Sequence, residues 1–296
     1  MASDLFKDDP LFLSLVETGS LFVGEDLKTL CLRGPEKKLR QSRFLQPLLV
    51  AVSLGYLRRL QDRGVFADFV LGHSLGEITA LAAAGVLSDR QAVTMAARRG
   101  QLMDEAAMAV DGGMLAVTGS HRDALPALLA EVSGVGSVTL ANDNAPNQVV
   151  LSGARAALEA AAQRIASAKL GSCRFLSVAG PWHSPCMETA RDRFAQWVAE
   201  VDFRKPVIPL VMNVSGGPEA DPERIRQNVI RVIAAPVQWR QAMAHLKNEG
   251  VNSLIEIGPG RILAGLARAN GFGNETRLHT VGSLKDVDTV ASALAG

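Results

Sequence analysis

Apolar residues recur along this chain in two rhythms, short unbroken runs and longer stretches spaced at helical intervals, and the two alternate. "SRFLQPLLVAVSLGYLRRLQDRG" reads as a helix ending near Gly64, and Phe69, Val70 and Leu71 read as a short buried strand. Helix formers then run from Glu77 to Ala84. "SDRQAVTMAARRGQLMDEAA" predicts another helix, with Ser88 as N-cap and Gln91 as its capping-box partner. The pattern next tightens into strand 114–118, helix 123–131, strands 138–142 and 148–152, helix 154–168 and strand 174–176. This β-α-β-β-α-β order predicts a split-βαβ, ferredoxin-like unit over 113–177, inserted into a larger domain made of 1–112 and 178–296. The larger domain resumes with a helix at 187–200, a strand in "VIPLVMNV", helical stretches at 227–233 and 238–248, and a strand in "SLIEIGPG". The alternation as a whole predicts an α/β class with a mainly parallel sheet.

Composition narrows the function classes. With 296 residues and 48% hydrophobic content the chain is long enough for one large core with an insertion. Its 31 basic and 30 acidic residues leave a net charge of +1, so no global field draws it to nucleic acid or an anionic membrane. Cys31, Cys173 and Cys186 have no C-x-x-C spacing and cannot all pair, as expected of reduced packing thiols in a cytoplasmic protein. No window approaches the ~18 apolar residues of a membrane span, and "MASDLFKDDP" lacks the features of a signal peptide. No H-E-x-x-H or Cys/His cluster suggests a metal. "EIGPGRILAGL" has neither the P-loop nor the G-x-G-x-x-G pattern, so Gly258 and Gly260 read as structural and no cofactor is expected.

The chemistry concentrates in "FVLGHSLGEITALAAAGVLS". Ser74 is either the nucleophile of a G-x-S-x-G elbow or a small polar residue in an ordinary connection, and the strand before and helix after it favour the elbow. There its oxygen meets a helix N-terminus, with the Leu75 N–H as the first donor to a developing oxyanion. A general base is required, and the chain has five histidines. His73 sits beside Ser74 and points away from its hydroxyl, while His121 and His245 fall in segments that read as solvated, and His279 is the fifth. His183, in "SVAGPWHSPCM", lies at a strand end just before Ser184 as N-cap and Pro185 at the first helical position. It is either the base or a ring packed against Trp182.

Arg99 interrupts the apolar stripe of Ala92, Met95, Ala96, Leu102, Met103 and Ala106, whereas Arg98 shares a polar face with Thr94, Gln101 and Glu105. A guanidinium on a core-facing stripe needs an anion, either a bound carboxylate or an Asp or Glu of the protein. Gly100 beside it lets another backbone or a ligand come close. "ANDNAPNQVV" reads as a polar turn between two strands, whose Asn142, Asn144 and Gln148 either bond a pantetheine-like chain or only make the turn.

"GHSLGE", "ALAAAGVLS", "RRGQLM", "NDNAPNQVVLSG", "GPWHSPCM", "APVQW" and "EIGPGRILAGL" occur in the order found in malonyl-CoA:acyl carrier protein transacylases and the acyltransferase domains of polyketide synthases, and the chain resembles that family over nearly its whole length. The resemblance implies an α/β-hydrolase-like large domain carrying the ferredoxin-like unit, with the active site between them. It implies Ser74 as acyl acceptor, His183 as base oriented by the Val232 carbonyl, Leu75 as oxyanion donor and Arg99 as carboxylate clamp. Gln46 matches a pocket-lining glutamine, and His73, Asn142 and Asn144 are assigned to substrate binding. The implied partners are malonyl-CoA and a phosphopantetheinylated acyl carrier protein, in fatty-acid or polyketide biosynthesis, with no nucleic acid, membrane or metal. The family usually begins with a strand ending in "PGQG", whose glutamine backbone gives a second oxyanion donor. This chain starts at "MASDLFKDDPLF", so the expectation is either a truncated or misassigned start or a site with one donor fewer. Competing readings are a serine acyl hydrolase or thioesterase, and a homologue impaired by the missing strand.

Overall fold

In the computed structural model, which describes residues 1–119, 122–273 and 275–295, aspartates start the first helices. Asp4, Asp9 and Asp26 each accept a first-turn N–H, and they open α1 (Leu5–Asp8), α2 (Pro10–Val23) and α3 (Leu27–Arg33). After the short α4 (Glu36–Leu39) comes α5 (Ser42–Asp62), the long apolar stretch predicted from sequence. Strand β1 (Val70–Leu71), α6 (Gly76–Ala83) and α7 (Asp89–Met108) follow, and Ser88 and Gln91 form the expected reciprocal capping box. One hydrophobic cluster joins these elements, with Phe12, Leu48, Leu54, Tyr56, Leu81 and Met95 buried in it.

The middle of the chain forms β2 (Gly112–Thr118), α8 (Leu125–Val132), β3 (Val138–Ala145), β4 (Gln148–Ala154), α9 (Arg155–Ser167) and β5 (Ser172–Phe175). The four strands pair antiparallel in the order β3-β4-β2-β5, over a separate core containing Leu115, Val117, Leu128, Val149, Leu151 and Ile165. The rest of the chain supplies α10 (Glu188–Val198), β6 (Leu210–Val211), β7 (Pro218–Glu219), α11 (Pro222–Arg231), α12 (Trp239–Asn248), β8 (Ser253–Ile257), α13 (Ile262–Ala269), β9 (Arg277–Val281) and α14 (Leu284–Ala295). β1 pairs parallel with β6, β6 antiparallel with β7, and β8 parallel with β9, giving an α/β fold of mixed sheets. Among the described residues no helix is long and apolar enough to cross a membrane.

Several predicted bounds move, each for a local reason. The strand expected across "VIPLVMNV" shrinks to two residues, because Pro209 has no N–H for the ladder and Met212 bonds instead to the Gly217 carbonyl. β3 runs on to Ala145, so the turn is only Pro146 and Asn147, and Asn142 and Asn144 lie in a buried strand instead of a polar turn. The helix expected from 187 is preceded by a 3-10 turn, Pro185–Met187, and Ser184 does not cap it: its hydroxyl turns back to the Pro181 carbonyl at 2.6 Å. His245 is half-buried with its ring edge-on to Phe69, not solvated, and His121 lies outside the described residues.

Two seams fix the geometry that matters below. The first docks β3 on the segment before α12, through Asp143 N–H to the Val237 carbonyl and Val237 N–H to the Ala141 carbonyl, both 2.9 Å. Arg122 and Arg240 converge there on the buried Asp143 carboxylate. The second is the crossing of α5 and α7. Asp104 of α7 accepts the Ser42 and Arg43 N–H groups that open α5, an anion at a helix N-terminus. One turn earlier on α7, Gly100 lies so close that a Cβ would stand 2.2 Å from the Ser42 carbonyl oxygen. Gly100→Ala is therefore expected to wedge the helices apart at an overpacking cost of about 1–3 kcal/mol, read as a lower Tm in thermal unfolding. An unchanged Tm would mean that the crossing yields without strain.

Candidate active site

β1 leads through Gly72 and His73 into Ser74, and α6 starts two residues later. Ser74 has φ +52°, the left-handed region that non-glycine residues rarely occupy. The turn is tight enough that a Cβ on Gly72 would lie 2.0 Å from the Gly76 carbonyl, so the first glycine of the motif is a steric requirement. At Gly76 a Cβ would meet nothing within 4 Å. The Ser74 N–H donates to Asn213 Oδ1 at 2.7 Å, whereas no acceptor among the described residues meets the Leu75 N–H.

Ser74 Oγ lies 2.7 Å from His183 Nε2, and His183 Nδ1 lies 2.6 Å from the Val232 carbonyl oxygen. A carbonyl only accepts, so Nδ1 carries the proton and Nε2 presents its lone pair to the serine hydroxyl. His183 also has a left-handed backbone, φ +60°, in the loop closed by Ser184. From α7, Arg99 donates through Nη2 to Ser74 Oγ at 3.1 Å and through Nη1 to Gln46 Oε1 at 2.9 Å. Gln46 is held in turn by α5, with its amide nitrogen 3.6 Å from Met103 Sδ. The serine oxygen thus accepts from Arg99 and donates to His183.

Burial sets the electrostatics. Arg99 is 2% exposed and His183 3%, while Ser74 is half-buried and reachable. Desolvation, with the Arg99 charge as the next cause, pushes His183 down to about 3, so the resting imidazole is neutral. Desolvation also lowers Arg99, to about 10, and the field of Glu77 opposes that shift. Among the described residues no carboxylate forms a salt bridge with Arg99, so the direct Asp or Glu pair open from sequence is not what it makes.

His73 does turn away from the serine: its Nε2 lies 2.8 Å from Asn144 Oδ1, and its ring stands edge-on to Trp239. Asn144 therefore ties the small sheet to the residue next to Ser74, while Asn142 is buried beside the Val237 bridge. Two residues escape a reading of the sequence. Glu77 and Asn213, 1% and 3% exposed, bond each other beneath the elbow. A signal for Glu77 existed, since it is an acid among the alanines and leucines of α6. Asn213 gave none, standing alone at the end of "VIPLVMNV" and 139 positions from Ser74.

Comparison with known proteins gives a consistent set of relatives. The family model described as acyl transferase domain matches residues 1–287. The malonyl CoA-acyl carrier protein transacylase of Bacillus subtilis is 32% identical over 295 residues, 99% of this chain and 92% of that protein. The solved malonyl CoA-acyl carrier protein transacylase of Coxiella burnetii superposes with a TM-score of 0.94 at 28% identity, covering 100% of this chain and 93% of that one. In a structure of a type II PKS acyl-carrier protein in complex with its malonyl-transacylase, the matching chain has a TM-score of 0.92 at 32% identity, covering 98% of this chain and 94% of that one.

The depressed His183 has a measurable sign. Below pH 6.5 an unfolded imidazole takes a proton that the buried ring refuses, so its contribution to stability is present above pH 6.5 and lost as the pH falls toward 3. The ring itself stays neutral down to about pH 4. Labelling of Ser74 by an uncharged fluorophosphonate is expected to hold its rate between pH 6 and pH 4.5, whereas a base titrating near 6.5 would lose roughly 20-fold. A loss of that size would show a solvated His183.

Proposed function

The chain belongs to the acyl transferase domain family, and from that premise we propose that it moves the malonyl group of malonyl-CoA, through an ester on Ser74, to the phosphopantetheine thiol of an acyl carrier protein. The observation that carries this reading is that a base and a carboxylate receptor meet at one hydroxyl oxygen, with His183 Nε2 at 2.7 Å and Arg99 Nη2 at 3.1 Å from Ser74 Oγ.

The malonyl carboxylate takes the Arg99 fork in a bidentate pair, with Gln46 keeping the guanidinium in plane. Ser74 Oγ attacks the thioester carbonyl as its proton passes to His183 Nε2, and the imidazolium is steadied by the Val232 carbonyl on Nδ1. The oxyanion develops toward the Leu75 N–H. The intermediate collapses with loss of CoA, whose sulfur receives the proton from His183. In the second half, the carrier thiol gives its proton to His183 and attacks the malonyl-serine, and Ser74 leaves with the proton returned. The sum is thioester exchange with no net redox change.

In the same reading the body formed by 1–112 and 178–296 is α/β-hydrolase-like, and 113–177 is a ferredoxin-like insertion. His73, Asn142 and Asn144 meet the pantetheine arm at the seam between them. The enzyme works in the cytoplasm. A serine hydrolase would use the same serine and histidine with water as acceptor, but it has no need for a buried cation beside the nucleophile.

Incubation with malonyl-CoA is expected to add one malonyl group by intact mass, and Ser74→Ala is expected to show no adduct. An unchanged adduct in that variant would move the nucleophile, with Cys186 the first suspect. Arg99→Ala is expected to lose malonyl transfer by roughly 10- to 100-fold, the worth of a charge-assisted bidentate contact of about 1.5–3 kcal/mol, while acetyl transfer holds or rises. Equal losses for the two acyl groups would make Arg99 a structural residue only.

A further inference from the structure

We propose that Asn213 is a positioning residue for the nucleophile, clamping the Ser74 elbow from the neighbouring strand, and that Glu77 fixes the orientation of its amide. The inference rests on the reading of Ser74 as nucleophile.

The clamp is one planar group used at both ends. Asn213 Oδ1 accepts the Ser74 N–H at 2.7 Å, and Nδ2 donates to the Gly72 carbonyl at 2.7 Å, so one amide spans the elbow. The same Nδ2 donates to Glu77 Oε1 at 2.8 Å, and the Asn213 backbone N–H donates to that oxygen at 2.6 Å. Because Glu77 Oε1 accepts from both the backbone N–H and Nδ2 of Asn213, it directs the NH2 side of the amide to itself and leaves the oxygen for Ser74. Asn213 is itself anchored: it follows β6, its carbonyl accepts the Gln238 N–H at 2.7 Å, and Met212 before it bonds to Gly217. Glu77 and Asn213 are both buried, so water cannot substitute for any partner of the amide.

The consequence falls on Ser74 Oγ. A left-handed serine relaxes unless its neighbours over-determine it, and the amide holds the two peptide groups that flank His73, the second of which carries the Ser74 N–H. It also occupies the Ser74 N–H, leaving the Leu75 N–H as the elbow's donor to an oxyanion. Neither Arg99 nor Gln46 hydrogen-bonds to Asn213 or Glu77, so a change at Asn213 leaves the contacts of the carboxylate receptor in place.

The test uses the full chain and two readouts. The rate of Ser74 labelling by an uncharged fluorophosphonate reports the nucleophile without malonyl recognition, and steady-state malonyl transfer gives kcat and KM. Asn213→Ala is expected to lower the labelling rate and kcat by roughly 100-fold, the scale of a misplaced reacting atom, with KM for malonyl-CoA within about threefold. Should that variant not fold, Asn213→Thr carries the same test, since it is close in volume to asparagine but its single hydroxyl cannot bridge the Ser74 N–H, the Gly72 carbonyl and Glu77 together. Glu77→Ala is expected to lose at least tenfold in labelling, and Glu77→Gln, whose amide oxygen still accepts, to recover most of that loss. Labelling of the folded Asn213 variant within threefold of wild type overturns the inference while leaving the nucleophile in place. Failure of the wild type to label at Ser74 overturns the nucleophile reading and the inference with it.

Discussion

The geometry of the site depends on one strained residue. A serine at φ +52° carries a conformational cost of roughly 1–3 kcal/mol, and that turn brings its hydroxyl to His183 Nε2 and Arg99 Nη2. The surroundings are built to hold it. Gly72 has no Cβ to collide with Gly76, α6 buries Ile78 and Leu81 in the main core, and β1 is locked parallel to β6. His183 repeats the device from another loop, with φ +60° and its ring secured by a backbone carbonyl in place of a carboxylate side chain. Two left-handed residues 109 positions apart therefore meet within hydrogen-bonding distance.

Charge is handled by separation as much as by pairing. Arg99, Glu77 and His183 share a buried region, and desolvation is the largest influence on each: it lowers Arg99, raises Glu77 to about 7 and lowers His183. Arg99 and Glu77 partly offset one another without touching. The second influence on His183 is the positive field of Arg99, and a substrate carboxylate on the guanidinium would cancel it. An anion held on that guanidinium would therefore raise the basicity of His183.

How much of this was legible in the sequence follows from the range of each interaction. Local rules carried far: the capping box at Ser88, the glycines around Ser74, and Arg99 standing out on an apolar face were all readable because their signals lie within a few turns of helix. The order of strands and helices in the middle of the chain was readable for the same reason, from periodicity. Bounds set by long-range contacts were not. β3 extends past Asn142 because Val237 offers it a bridge, and Ser184 abandons its cap for the Pro181 carbonyl. Asn213 was invisible because an isolated asparagine after a short strand has no local pattern, and its partners come from the elbow itself.

The left-handed turn also restricts which residues can ever occupy it. A branched Cβ is a genuine outlier at positive φ, so threonine is closed to position 74 even though it carries the same hydroxyl. Of the side chains that can act as nucleophiles there, those with an unbranched Cβ remain, serine and its sulfur analogue foremost. The evolutionary route by which such a site changes its nucleophile is thereby narrowed by backbone geometry before any question of reactivity arises.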